Sequence, residues 1–174
     1  MYDQAVDIWS LGCVVGELLN NSNTKSFQKC QIFPGKYCHL LSPSDRAVDP
    51  KYDIGQGDQI REILKVIGPL SVNDRSFVTD KKNLRYLEEL EISIAKTRKC
   101  GKFEKMFKSI KPELKDLLKK MLNFNPYNRI TTKQALNSPI FDHIRVPYFE
   151  KPCPIQIKHE LFEPDAFNYK TGKS

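Results

Sequence analysis

From Ala5 to Leu19 the apolar residues Ile8, Trp9, Leu11, Cys13, Val14, Val15, Leu18 and Leu19 fall on every side of a 3.6-residue wheel, the pattern of a helix buried all round. The uncharged run between Asp7 and Glu17 is far shorter than the roughly 20 apolar residues needed to span a bilayer. The stretch is therefore expected to be a core axle, with Asp7 placed where an acid favours the helix dipole. Asn20-Asn21-Ser22-Asn23-Thr24 breaks it. An irregular region follows to about residue 57, punctuated by Pro34-Gly35, Ser42-Pro43, Asp49-Pro50 and Gly55-Gln56-Gly57. A loop of that length within a compact domain has the character of an insertion.

Periodicity returns at Ile60, Ile63, Leu64 and Ile67, with Asp58 as N-cap and Gly68-Pro69 as stop. Residues 71–82 are turn-rich, and the apolar positions from Leu84 to Ile94 predict one or two short helices before Gly101. Phe103, Met106 and Phe107 sit at i, i+3 and i+4 and form an inward stripe. A further helix starts with Pro112 at its first position and carries Leu114, Leu117, Leu118, Met121 and Leu122 on one face, with Lys119 and Lys120 in its last turn. Asn123-Phe124-Asn125-Pro126-Tyr127-Asn128-Arg129-Ile130 is a tight connection, and Thr131 to Gln134 fits a capping box for a short last helix. Beyond Val146, four prolines predict an extended tail whose Tyr148, Phe149, Phe162, Phe167 and Tyr169 lie against apolar surface. With no strand pattern of consequence, the chain is mainly α.

The 174 residues are enough for one domain with a real core, and 40% hydrophobic with 28% charged residues is an ordinary globular composition. Met1-Tyr2-Asp3-Gln4 has an acid where a signal peptide carries basic residues, so an intracellular protein is expected. Five scattered cysteines without a C-x-x-C pair imply neither a disulfide framework nor a zinc site; Cys38-His39 is the only Cys/His neighbour pair. The net charge of +7 is regional: residues 75–120 hold fourteen Lys/Arg against seven Asp/Glu, and the rest balances. Its densest part contains Lys96, Arg98, Lys99, Lys102, Lys105 and Lys108. Such a run is either a solvated face over inward apolar residues or a patch for an acidic partner, an anionic surface or nucleic acid.

Several strings occur in order along the chain: Asp7-Ile8-Trp9-Ser10-Leu11-Gly12-Cys13, Ile32-Phe33-Pro34-Gly35, Asp58-Gln59-Ile60, Leu117-Leu118-Lys119-Lys120-Met121-Leu122 and Asn125-Pro126-Tyr127-Asn128-Arg129-Ile130. Together they resemble the large helical lobe of eukaryotic protein kinases, most closely the mitogen-activated protein kinases. The resemblance implies the C-terminal half of that lobe over residues 1–142, from its central helix onward. It also implies the group's insert over residues 72–110 and a C-terminal extension over residues 143–174. Within the loop insertion over about residues 20–57, the part between Phe33-Pro34-Gly35 and Asp58-Gln59 holds about twenty residues more than the family's short link.

By the same resemblance, Asp7 accepts hydrogen bonds from the catalytic loop, and Trp9 belongs to the motif that supports it. Arg129 pairs with the glutamate of the Ala-Pro-Glu motif that closes the activation segment. A complete member would bind ATP and Mg2+ and phosphorylate protein serine and threonine in the cytoplasm, the nucleus or both. The nucleotide-binding and catalytic strings of such enzymes are missing from these 174 residues: none of His39, His143 and His159 begins a His-Arg-Asp, and neither Asp-Phe-Gly nor Ala-Pro-Glu occurs. The chain alone is thus expected to be inactive, with no catalytic, cofactor or metal residue of its own. The first turn of the axle is expected to expose surface at Tyr2, Val6, Ile8 or Trp9. A different class of reading is a non-catalytic interaction module using the basic patch; nucleic-acid binding by that patch is a third. The group's acidic docking cluster is reduced to Glu150, which argues against docking of basic peptides.

Overall fold

Helix α1, Ala5–Ser22, opens the described part of the chain and ends within the polar breaker. The structure is a computed structural model that describes residues 4–22, 31–38, 57–96, 101–150 and 154. Six further α-helices follow among these residues: α2 (Gln59–Ile67), α3 (Val72–Arg75), α4 (Lys81–Lys96), α5 (Phe103–Met106), α6 (Pro112–Met121) and α7 (Thr132–Leu136). No strand forms among them, only an isolated parallel bridge between Tyr37 and Asp58. The chain divides into two compact units, Met1–Asp142 and His143–Ser174.

Within the first unit α1 packs on α6. Gly12 and Gly16 make that approach close: a Cβ on Gly12 would lie 3.0 Å from Leu122 Cδ2 and 3.1 Å from Met121 Cβ, and one on Gly16 would lie 2.8 Å from Ile32 Cδ1. Two glycines in a helix interior each cost about 1 kcal/mol relative to alanine, and here they create the groove that receives α6 and Ile32. The main core gathers Ile32, Phe33, Val66, Phe103, Phe107, Leu118 and Leu122, with Trp9, Cys13, Val15 and Leu19 of α1 against it. A second cluster joins α2 to α4 through Leu64, Leu90 and Ile94, and a third joins Ile8 to Leu117 and Met121.

Helix α1 is not buried all round. Ile8 is buried, but Val6 is 43%, Leu11 52%, Val14 54% and Leu18 66% exposed. Leu11, Val14 and Leu18 follow i, i+3, i+7, so one apolar stripe faces the core and a second is covered by none of the described residues. Exposure thus runs the length of the helix; Val6 shares it in the first turn, Ile8 does not, and Tyr2 lies outside the described residues.

Local signals translate directly. Asp58 caps α2, its Oδ1 accepting from the N–H of Ile60 (2.8 Å) and Arg61 (3.2 Å). Gly68 closes that helix, its N–H donating to the Leu64 carbonyl, and Pro112 opens α6. The Thr131–Gln134 capping box is formed in both directions. A second box, Ser71 with Asp74, starts the short helix α3 inside the segment expected to be turns. Residues 81–96 form a single sixteen-residue helix, where one or two short ones were expected. Its register is held by Arg61, buried, whose Nη1 donates to Ser93 Oγ at 3.0 Å.

The irregular region has an ordered base. The N–H groups of Lys36 and Tyr37 donate to the Gly57 carbonyl (2.7 and 3.4 Å), and the Gln59 N–H donates to the Tyr37 carbonyl (2.8 Å). Residues 39–56, including His39 of the Cys38-His39 pair, lie outside the described residues. In the second unit a 3-10 turn spans Pro147–Phe149, where Tyr148 and Phe149 meet edge to face at 5.5 Å while 70% and 80% exposed. Phe162, Phe167 and Tyr169 fall outside the described residues.

Candidate functional site

The side chains singled out by motif meet at the start of α1. That helix begins when the Gln4 carbonyl accepts from the N–H of Asp7 (3.1 Å) and Ile8 (3.3 Å), leaving Asp7 exposed in the first turn. Trp9 turns inward and stacks on Phe33, with centroids 5.5 Å apart and planes 12° from parallel. Arg129 closes the arrangement. Its Nη1 donates to the Ala5 carbonyl at 2.6 Å, Nε to the Asn123 carbonyl at 2.9 Å and Nη2 to the Phe124 carbonyl at 3.3 Å. Its guanidinium lies 4.9 Å from the centre of the Trp9 ring, within cation–π range. One planar fork thus ties the 123–130 connection to the first turn of α1, which a lysine, with a single donor centre, could not do.

The connection that presents Arg129 is itself held by Asn125, whose tertiary role has no signature in the sequence beyond its place in the motif. It is buried, and its Oδ1 caps the 3-10 turn Pro126–Asn128 by accepting from the Tyr127 N–H at 3.0 Å. Its Nδ2 donates to the Asn73 carbonyl (2.7 Å) and to Ser76 Oγ (3.1 Å). Asn125 therefore fastens the connection to the segment around α3. The three motif residues thus bring together a Trp–Arg joint and, in the same turn of α1, the exposed carboxylate of Asp7.

Cys13, one turn on from Trp9, has its thiol pushed up to about 11, first by burial and then by Glu17, with Arg129 opposing. The fold thus favours the protonated thiol: this contribution to stability is present below the ordinary value of 9.0 and is lost as pH rises through about 11. Iodoacetamide labelling of Cys13, followed by peptide mass mapping, should still accelerate between pH 9 and 11; a plateau near pH 9 would contradict this. At the base of the irregular region, partial burial and then the Asp58 carboxylate raise the pKa of both Tyr37 and Tyr86. These phenols stay neutral at physiological pH.

The basic residues are placed separately from the joint. Lys96 ends α4, and Lys102, Lys105 and Lys108 flank or lie on α5, all four exposed; Arg98 and Lys99 lie outside the described residues. Phe103 and Phe107 of the same segment are buried and Met106 packs on the core, as the stripe predicted. In the second unit Arg145 engages both carboxylate oxygens of Glu150, with Nε at 2.9 and 3.0 Å, and holds its pKa below the usual value. Among the described residues there is no cluster of three or more His, Cys, Asp or Glu that could hold a metal, and no helix long and apolar enough to cross a membrane.

A family model described as "Protein kinase domain" matches residues 1–141. The chain is 29% identical over 170 residues to "Mitogen-activated protein kinase 5" of Oryza sativa subsp. indica, covering 97% of this chain and 35% of that protein. It is 32% identical over 162 residues to "Mitogen-activated protein kinase mpk-1" of Caenorhabditis elegans, covering 92% of this chain and 30% of that protein. It is 31% identical over 160 residues to "Probable cyclin-dependent kinase 8" of Dictyostelium discoideum, covering 88% of this chain and 35% of that protein. The chain spans about a third of the length of these relatives.

Proposed function

The chain belongs to the protein kinase family, and we propose that residues 1–142 act as the later part of the helical lobe of a serine/threonine kinase resembling the mitogen-activated group. In this reading the lobe supports phosphoryl transfer carried out by groups outside these residues. Asp7 accepts from the catalytic loop, and the Trp9–Arg129 joint is the floor beneath the activation segment. The observation that carries the reading is the grip of Arg129 on the Ala5 carbonyl and on Trp9, because it joins the two most specific kinase-like strings in space. The exposed carboxylate of Asp7 and the uncovered stripe of Leu11, Val14 and Leu18 give the remaining lobe a polar and an apolar face to seat on.

ATP and Mg2+ belong to the complete family member. The described residues offer no metal-ligand cluster, and Gly55-Gln56-Gly57 lacks the third glycine of a phosphate-binding loop, so no step is assigned to either cofactor here. Residues 72–110 are read as the group's insert, residues 143–174 as its C-terminal extension, and the place of action as cytoplasm, nucleus or both. Docking of basic peptides on the extension is not part of the proposal, since Glu150 is already engaged by Arg145.

Two measurements test the proposal. Residues 1–174 alone should transfer no phosphate from ATP to a generic protein substrate, and ATP-dependent labelling by this chain would overturn that. Transcript sequencing upstream of Met1 should reveal His-Arg-Asp, Asp-Phe-Gly and Ala-Pro-Glu in frame; an in-frame stop just upstream would overturn the kinase role.

A further inference from the structure

We infer that α5 and the facing side of α6 form a docking surface for an acidic, Asp/Glu-rich protein segment. In the sequence the basic run ends near residue 108, but the fold extends it with lysines from a different helix. Lys115 Nζ lies 3.0 Å from Glu104 Oε2, and Lys119 Nζ lies 3.9 Å from Glu104 Oε1. The one acid within α5 is thereby shared by two lysines of α6. Lys102, Lys105 and Lys108 are exposed and form no ion pair among the described residues. The surface of α5 and the facing side of α6 accordingly carries five lysines against Glu104, with Asp74 at the edge of the pocket that Glu104 and Lys119 line. By contrast, Lys65 and Lys120 are each matched by an acid, Glu62 and Asp116.

The scaffold beneath this surface is rigid. Phe103 and Phe107 meet at 4.8 Å, are buried, and pack with Ile32, Phe33 and Leu118. The Lys102 N–H also donates to the Lys65 carbonyl at 3.1 Å, pinning the start of α5 to α2. Lysines held on a fixed backbone present charge without ordering the segment on binding, which lowers the cost of association.

The chemistry selects among anionic partners. Single-stranded nucleic acid is bound largely through aromatic stacking, and both aromatics of α5 face inward. Peripheral membrane binding uses an apolar face beside the charges, and here that face is the core. Recognition of a single phosphate favours the bidentate fork of arginine, and the five cations among the described residues here are all lysines. Diffuse point charges of this kind match a run of carboxylates. The inference does not depend on residues 1–174 belonging to an active kinase.

The test is fluorescence anisotropy of the full 174-residue chain with four probes: a labelled dodecamer of alternating Asp and Glu, a peptide with one phosphoserine, a DNA duplex, and vesicles containing phosphatidylserine. The acidic dodecamer should bind best. Its affinity should fall at least tenfold in the triple variant Lys102→Glu, Lys105→Glu, Lys108→Glu, and also as salt rises from 50 to 200 mM. Lys133→Glu, an exposed lysine on α7, should bind like the parent chain. Circular dichroism of the triple variant should match the parent, and Lys102→Gln, Lys105→Gln, Lys108→Gln serves as a milder version if it does not. Absence of dodecamer binding, an unchanged affinity in both variants, or tighter binding of DNA, the phosphoserine peptide or vesicles overturns the inference.

Discussion

Truncation of Phe107 to alanine is expected to lower the unfolding free energy of the 174-residue chain by about 3–5 kcal/mol, the range for deleting a fully buried aromatic ring. Phe107 has no exposed surface and touches the main core at its centre, with Phe103 at one side and Ile32, Leu118 and Leu122 completing the cluster. A Cβ added at Gly16 would lie 3.7 Å from its ring tip, so the ring also fills the space beside α1. Collapse into the vacated volume is hindered because helices α1 and α6 are already in contact through the glycine groove. Urea denaturation followed by circular dichroism reads the loss; a change below about 1 kcal/mol would show that the segment is not part of the cooperative core.

Substitution of Arg129 by alanine should cost about 3 kcal/mol. Hydrogen bonds to a charged group contribute roughly 1.5–3 kcal/mol each, but Arg129 is only half-buried and solvent discounts the sum. Arg129→Lys should recover less than half of the loss, since one ammonium cannot span the carbonyls of Ala5, Asn123 and Phe124. Trp9 is the only tryptophan in the chain, so its fluorescence reports the joint directly. Both variants should shift its emission to the red. An alanine variant with unchanged emission and stability would mean that the Arg129 contacts do not form in solution.

How far the sequence carries depends on the range of the interaction concerned. The caps at Asp58 and Thr131, the stop at Gly68 and the start at Pro112 are legible because each involves residues two to four positions apart. The Ser71 box escapes because aspartate stands in place of the usual glutamate or glutamine. The side of α1 that meets solvent is not legible at all: apolar residues on every side of a helix state what it can bury, and only its neighbours decide what it does bury. For the joint, the motif gives Trp9 and Arg129 prominence, but the Ala5 carbonyl as acceptor and the hold of Asn125 on Asn73 and Ser76 are contacts across 124, 52 and 49 positions. Lys115 and Lys119 likewise join the basic surface only because α6 packs beside α5.

The grip of Arg129 on Ala5 also sets a delay. At a synthesis rate of about 5–20 residues per second, the 124 residues that separate donor from acceptor take about 6–25 s to make. Helix α1 thus leaves the ribosome well before the residue that locks its first turn. For that interval the Arg129 side of the joint is missing, whereas α2 and α4, close together in the chain, can pair as soon as they emerge. The vulnerable period of α1 is its wait for Arg129.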